Sequence, residues 1–461
     1  MIRLPRAFWL ASGITIAAEI LLGCAGRSTP DVQVAPLSVV ELGEGWAANT
    51  INTVIFRHHA LVTSEGRQYG AYYDASGSLV VFERVITSND VVKVSLPGSY
   101  SPTDAHNSIS LGLDRDGYLH LSYAQHNGPL RYRRSTAPRS ILAWTDEIPM
   151  TGAREDFVTY PTFLTPRGPD SPSLIFLYRD GSSASGTACM KVYRGLAEGW
   201  FDRDPCPLDG ALGRPWSSGP YWNHPAFGQD GALHLSFTWR TKAFDAESMI
   251  INVGLNYALS PDYGVTWLSA RGVRHRLPIT PANSGVIAAI GPGENLINQG
   301  SSAVDSRGRL HMAFYSNDPN GIPQYQHMWF DGAEWRRSFV SYRSVAFNLQ
   351  GGGTLQIPMS RPEILIDSND MVYVFYRADV TGDRMVALRL EPPAYQPQDD
   401  IRILWTQDLG YSEPIVDRSR WEGDGILSML IQENSQLPGD EIVETPPEPV
   451  YVVDWDIEGA W

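Results

Sequence analysis

One short pattern recurs along this chain: an apolar stretch, a turn carrying Asp and Gly, then an alternating strand rich in aromatics. The clearest copies are ISLGLDRDGYLHLSY (Ile109–Tyr123), PAFGQDGALHLSF (Pro225–Phe237) and SAVDSRGRLHMAFY (Ser302–Tyr315). Looser copies fall at Gln68–Val85, Tyr160–Arg179, Arg361–Arg377 and Glu413–Ile431. Each reads as a hairpin with period-2 alternation. Further strands follow most copies, as at Leu130–Ser135, Ile251–Ser260 and Tyr325–Phe330. A hairpin cannot bury both of its faces alone, so neighbouring copies must stack. Seven copies leave about 63 residues apiece, which suits a four-stranded blade with generous loops. The expectation is an all-β chain: one seven-bladed β-propeller domain over residues 37–461.

Composition agrees with many short strands. The 461 residues include 42 Gly and 33 Pro, 11% are aromatic and only 19% are charged, which argues against helical bundles, coiled coils and disordered chains. Pro392–Pro397 and Leu437–Pro449 read as loops within the domain, and no long amphipathic helix interrupts the pattern. Tyr451–Ile457 is expected to complete the last blade or to close the ring with the N-terminal strand. Ser260-Pro261-Asp262-Tyr263-Gly264-Val265-Thr266-Trp267 resembles the Asp box of sialidase-like propellers. There an aspartate caps a tight hairpin, glycine supplies a positive φ and tryptophan packs beneath.

The first residues read as a targeting segment. Arg3 and Arg6 precede an apolar run from Ala7 to Leu22, flawed by Glu19, and Leu21-Leu22-Gly23-Cys24 follows. Small residues before a cysteine resemble a lipoprotein signal, with residues 1–23 removed, Cys24 lipidated and residues 24–36 serving as a tether. An acylated cysteine would hold the protein on a membrane. Ala25 in place of aspartate favours the bacterial outer membrane or cell surface. Net charge is −15 with no basic block, which argues against a nucleic-acid partner. A monomer is expected.

Three cysteines rule out a disulfide scaffold. In an oxidising compartment Cys189 and Cys206 leave two readings open: a disulfide, or a structural zinc site with His224. No nucleotide loop or Ser–His–Asp pattern is present, so no cofactor is required for chemistry.

A propeller binds ligands around its axis, where each innermost strand begins. The segments there carry Asp104-Ala105-His106-Asn107, Thr159-Tyr160-Pro161, Tyr221-Trp222-Asn223-His224, Asn298-Gln299-Gly300-Ser301, Ser360-Arg361-Pro362-Glu363 and Tyr411-Ser412-Glu413. They are rich in groups that donate hydrogen bonds and move protons. His120, His234 and His311 each follow Leu in the repeated turn and read as structural. His106 and His126 are not repeated in this way. His58 and His59 are adjacent, so on any strand at most one of them faces the axis.

DAHNSISLGLDRDGYLHLSYAQHN, then Tyr160-Pro161, then FLYRDGSSASG, together resemble the BNR-repeat propeller group that contains the ulvan lyases. The resemblance runs from about Phe56 to Ile431, with extra loop residues at Pro166–Pro172. It implies cleavage of a sulfated rhamnose–uronate polysaccharide by β-elimination. It further implies His106 and His126 as catalytic-site histidines, Tyr160 as the catalytic tyrosine, and Arg179 as the group facing the uronate carboxylate.

The residues support that chemistry independently. The C5 proton beside a charged carboxylate is very weakly acidic, so a cation or strong donor must neutralise the carboxylate; Arg179 and Asn107 suit this. A base and an acid then serve C5 and O4. His106 and Tyr160 are the expected pair, with His126 orienting or polarising one of them. Tyrosine acts as a base only if a cation lowers its pKa. Tyr221, Trp222, Asn223 and Arg361 are expected to contact substrate, with Trp222 stacking on a sugar face. Two rival readings remain: a propeller glycoside hydrolase using Asp104, Glu363 or Glu413, and a non-catalytic glycan-binding lipoprotein.

Overall fold

The computed structural model describes residues 32–461 apart from 169, 215, 245–248 and 443. Seven antiparallel sheets follow one another along the chain. Blade 1 runs Leu61–Ser64, Arg67–Tyr73, Leu79–Val85, Val91–Ser95. Blade 2 has three strands, Ser110–Leu113, Leu119–Ser122 and Tyr132–Arg134. Blade 3 runs Val158–Leu164, Leu174–Ser182, Ser185–Tyr193, Trp200–Asp209. In blade 4 the inner strand is broken into Gly219–Trp222 and Ala226–Phe227, followed by Leu233–Arg240, Asn252–Ser260 and Val286–Ala288. Blade 5 runs Ser301–Val304, Leu310–Asn317, Pro323–Phe330, Trp335–Phe339. Blade 6 runs Glu363–Ile366, Val372–Arg377, Met385–Leu390, Pro397–Trp405.

Blade 7 closes the ring. Its strands Ile415–Val416, Leu427–Ile431 and Glu448–Trp455 take the N-terminal strand Ser38–Gly45 as a fourth, outer member. The C-terminal strand thus both completes the last blade and holds the first strand among the described residues. A seven-residue helix, Arg418–Asp424, sits between the first two strands of this blade. The seam to blade 1 is locked by Arg84, which pairs with Asp454 at 2.6 Å, and by Asp417, which accepts from Thr63 and Gln68.

The repeated turn explains the hairpins. Asp114 accepts from the Tyr118 N–H, Asp305 from those of Arg307 and Arg309, and Asp367 from those of Asn369 and Met371. The second oxygens of Asp114 and Asp305 meet His120 Nε2 at 3.2 Å and His311 Nε2 at 3.3 Å. Tyr132 and Tyr257 hydroxyls meet His120 and His234 Nδ1 at 2.7 and 2.8 Å. His120 thus ties the turn of blade 2 to its third strand, and His311 does so in blade 5 through His327 Nε2 at 3.0 Å. In the Asp box, Asp262 accepts from Thr266 N–H, Gly264 has φ +94° and Trp267 is fully buried.

The core lies between blades. Ile51, Tyr69, Val81, Leu111 and Leu121 join blades 1 and 2; Leu177, Met190, Leu235 and Trp267 join blades 3 and 4; Val40, Leu61, Phe82, Leu430 and Val452 join blades 7 and 1. Each fully buried large apolar side chain stabilises the ring by roughly 1.5–3 kcal/mol. The expected tether is partly claimed by the propeller: Val34 N–H donates to Ile403 and Val34 is buried. Cys24 and the targeting segment lie outside the described residues.

Cys189 and Cys206 form a disulfide between the third and fourth strands of blade 3. It closes a loop with a sequence separation of 17 residues, which by loop-closure entropy stabilises the fold by roughly 3 kcal/mol. The zinc alternative is thereby corrected: both sulfurs are consumed in the bond. His224 lies instead on the axis, its Nδ1 3.1 Å from His58 Nδ1 and its Nε2 3.3 Å from His59 Nε2. Both adjacent histidines therefore turn toward the axis. They sit on a turn rather than a strand, and His59 has φ +56°.

Candidate functional site

The leading ends of the inner strands converge on a cavity of about 530 Å³. Its wall includes Phe56, His106, His126, Tyr160, Arg179, Tyr221, Arg240, Thr354 and Arg361. The far ends of the same strands line a second cavity of about 430 Å³ at the opposite end of the axis, with His59, His224, Arg418 and Trp421.

Asp104 organises one side of the first cavity. Its Oδ1 lies 3.1 Å from His106 Nδ1 and its Oδ2 lies 2.7 Å from His126 Nδ1. Asp104 also accepts from the His106 backbone N–H. The two imidazoles stack 4.2 Å apart at 12°. One carboxylate accepting from both Nδ1–H groups sets the same tautomer in each ring and leaves both Nε2 lone pairs available. His106 further touches the Thr354 hydroxyl at 3.2 Å and stacks on Phe56 at 5.0 Å. Burial pushes His106 below the usual imidazole range, and the Asp104 hydrogen bond offsets this only in part. Burial works against the Asp104 anion, but the His106 and His126 hydrogen bonds hold its carboxyl below the usual carboxylate range.

Tyr160 and Arg179 come from blade 3. Tyr160 lies on its innermost strand, directly before Pro161, where the pairing with the second strand slips. Proline cannot donate to a ladder and is tolerated at such an irregular edge. Tyr160 takes φ +57° there, a conformation costing of order 1–3 kcal/mol that persists only where its surroundings enforce it. Its ring centroid is 5.9 Å from that of His106. Arg179 is 2% exposed. Its Nε donates to the Gly181 carbonyl, its Nη1 donates to the Tyr221 hydroxyl at 2.9 Å, and its guanidinium sits 4.9 Å over the Tyr160 ring. A Cβ at Gly186 would fall 2.6 Å from the Ser182 carbonyl oxygen and 3.2 Å from the Arg179 side chain, so only glycine leaves this arginine its place.

Blade 4 contributes Tyr221 and Arg240. The Arg240 guanidinium stacks 4.5 Å over the Tyr221 ring and donates to Asn252 and Asn298. Burial opposes ionisation of Tyr221, but the Arg179 and Arg240 charges, with the Arg179 hydrogen bond, outweigh it and lower its pKa. Tyr160 goes the other way: burial and the neighbouring Tyr221 raise it, against the pull of the same two arginines. The cation effect expected at Tyr160 thus falls on Tyr221.

Arg361 completes the wall. It is held by both oxygens of Glu413 at 3.1 Å and by the Asn298 carbonyl. Glu413 also accepts from the backbone N–H groups of Ile55 and Arg361, and Glu363 is bound to Ser301 and Arg418. Two of the three carboxylates named for a hydrolase are therefore committed to arginines. No aspartate or glutamate is among the described residues lining this cavity.

Three expected contacts are corrected. Trp222 is fully buried and packs edge-on to Tyr160; with Tyr221 facing the cavity, alternation turns Trp222 into the core. Asn223 donates to Ser236 and is not in the wall. Asn107 donates its amide to the Ser101 carbonyl, so it does not share the carboxylate-neutralising place with Arg179. Arg240, Phe56 and Thr354 were missed. Arg179, Arg240 and Arg377 each follow an aromatic residue in the last half of the second strand of their blade, and Arg240 and Arg377 end it, a recurrence that points to Arg240. Asp104, His106 and His126 are the one group among the described residues close enough to hold a metal ion together, and their contacts are of hydrogen-bond length.

The profile described as "BNR repeat-containing family member" matches residues 67–343. A search of curated protein sequences returns no match. Among solved structures, the chain is similar to the polysaccharide lyase Uly1, with TM-score 0.65 and 16% identity over 92% of this chain and 99% of that one. It is also similar to a PL25 ulvan lyase bound to -[GlcA(1-4)Rha3S]-, with TM-score 0.61 and 13% identity over 90% of this chain and 95% of that one. At such identities the likeness establishes the propeller fold.

Proposed function

The chain belongs to the BNR repeat-containing family, and from that premise we propose that its axial cavity cleaves a uronic-acid-containing polysaccharide by β-elimination. The observation that carries this reading is the division of the cavity. One carboxylate holds two imidazoles in a single tautomer, and Arg179, Arg240 and Arg361 face the same space. A cationic wall suits an anionic sugar, and the overall charge of −15 acts mainly at long range, where salt screens it beyond about 8 Å.

Arg179 meets the uronate carboxylate and withdraws charge from C5. His106 Nε2, neutral because of burial, takes the C5 proton. The C5–H electron pair forms the C4–C5 double bond and the C4–O4 bond breaks. Tyr160, whose raised pKa keeps it protonated, donates to O4. Two groups with pKa values pushed apart thus divide the acid and base roles. His126, on the shared Asp104, fixes the orientation of His106. A sulfated rhamnose–uronate polymer of the ulvan class is the substrate we favour, since the ulvan lyase of the same fold is bound to an oligomer of that kind.

Purified protein incubated with a panel of uronate polysaccharides should develop the near-ultraviolet absorbance of unsaturated ends. Binding without that signal, unchanged in His106→Ala, would mean a glycan-binding protein instead. The N-terminal signal and Cys24 support attachment to the outer membrane or cell surface. Cys24→Ala should move the protein from the membrane to the soluble fraction; retention would mean that Ala7–Leu22 itself is the anchor.

A further inference from the structure

Tyr221 is a buried phenol that the scheme above leaves idle, yet the site is built around its oxygen. That oxygen accepts from Arg179 Nη1 at 2.9 Å. The Tyr221 ring lies 5.6 Å from that of Tyr160, centroid to centroid. Arg240 lies 4.5 Å and Arg179 5.4 Å from its ring centroid. Arg240 is fixed in turn by Asn252 and Asn298. The charged and titratable groups acting on Tyr221 are Tyr160 and Arg179 from blade 3 and Arg240 from blade 4.

The geometry points to a two-phenol relay in which Tyr160 gives its proton to the departing O4 and takes the proton of Tyr221, so that the negative charge comes to rest on the Tyr221 oxygen. The inference rests on the β-elimination reading and adds the source of the proton. The balance is closed. The O4 lone pair released by C4–O4 cleavage gains the Tyr160 proton, the Tyr160 oxygen gains the Tyr221 proton, and Tyr221 is left as phenolate. His106 carries the C5 proton, and exchange with water restores both groups.

Placement explains why the charge moves on. A phenolate left on Tyr160 would have one guanidinium over its ring. On Tyr221 it has two, and it also keeps the hydrogen bond from Arg179 Nη1. Charge-assisted hydrogen bonds of this kind are about twice as strong as neutral ones. The paired phenols are therefore a stronger acid than Tyr160 alone, which burial weakens. Because the acid must hold its proton, kcat should fall as pH rises through the Tyr221 ionisation.

The test is a near-ultraviolet difference titration of phenolate in the full chain, alongside kinetics on a uronate polymer. Wild type should show one tyrosine ionising below the ordinary phenol range. Tyr221→Phe should abolish that step, Tyr160→Phe should retain it, and Arg240→Gln should move it and the alkaline limb of kcat upward together. Tyr221→Phe should lower kcat about a hundredfold with little change in KM. A low-pH phenolate that persists in Tyr221→Phe, or wild-type turnover in that variant, would overturn the relay. Absence of unsaturated product from wild type would instead sink the elimination reading, so the two fail separately.

Discussion

Replacing Arg179 by alanine should lower kcat/KM on a uronate polymer by about a thousandfold, the range found when one preorganised donor to a developing oxyanion is removed. As C5 loses its proton, charge flows onto the substrate carboxylate, and Arg179 is the guanidinium that touches both Tyr160 and Tyr221. Its position is fixed by the Gly181 carbonyl and by the room that Gly186 leaves. Arg179→Lys should recover only part of the loss, because an ammonium keeps the charge but not the planar fork. Steady-state kinetics with a thermal melt on each variant measures this. Full activity in Arg179→Ala would show that another group meets the carboxylate.

His106→Ala should reduce kcat by about 10²–10⁴-fold, the usual contribution of a positioned general base. Asp104→Asn should weaken turnover through the same atom, since an amide no longer accepts from both Nδ1–H groups and the rings lose their common tautomer. The pH profile gives the sign. The neutral imidazole is the active form, and burial lowers the His106 pKa. Wild-type kcat should therefore rise with pH at a point below the ordinary imidazole range and be flat through neutrality. An acid limb at or above that range, or an unchanged limb in Asp104→Asn, would remove His106 from the base role.

The propeller was legible in the sequence because its hairpins share a local mechanism. An aspartate that accepts from its own turn, as Asp114 and Asp305 do, leaves the same residue pattern wherever it occurs. The copy at Gln68–Val85 shows the limit of that signal. Its Asp74 turn joins the second and third strands of blade 1, whereas the first two are joined through Glu65 and Gly66. The ring has the expected seven blades, with that copy one strand out of phase.

The site was legible where a polar residue began an inner strand and hidden where a side chain reached in from elsewhere. His106, Tyr160 and Arg361 belong to the first kind. Arg240 belongs to the second: it ends a second strand just as Arg377 does, yet Arg377 spends its guanidinium on the Pro358, Ser412 and Ile357 carbonyls. Nothing local separates the two; the difference lies in what the neighbouring blade presents. Thr354 is further still, a loop residue meeting His106 across 248 positions. Alternation alone separates Trp222 from Tyr221, since a strand cannot aim adjacent side chains into one cavity.

Mass spectrometry of a limit digest of a defined uronate oligosaccharide tests the elimination itself. Elimination predicts fragments whose masses sum to that of the substrate, with an unsaturated uronate at each new non-reducing end. Fragments that together weigh one water more than the substrate for every bond cut would establish hydrolysis and contradict the account.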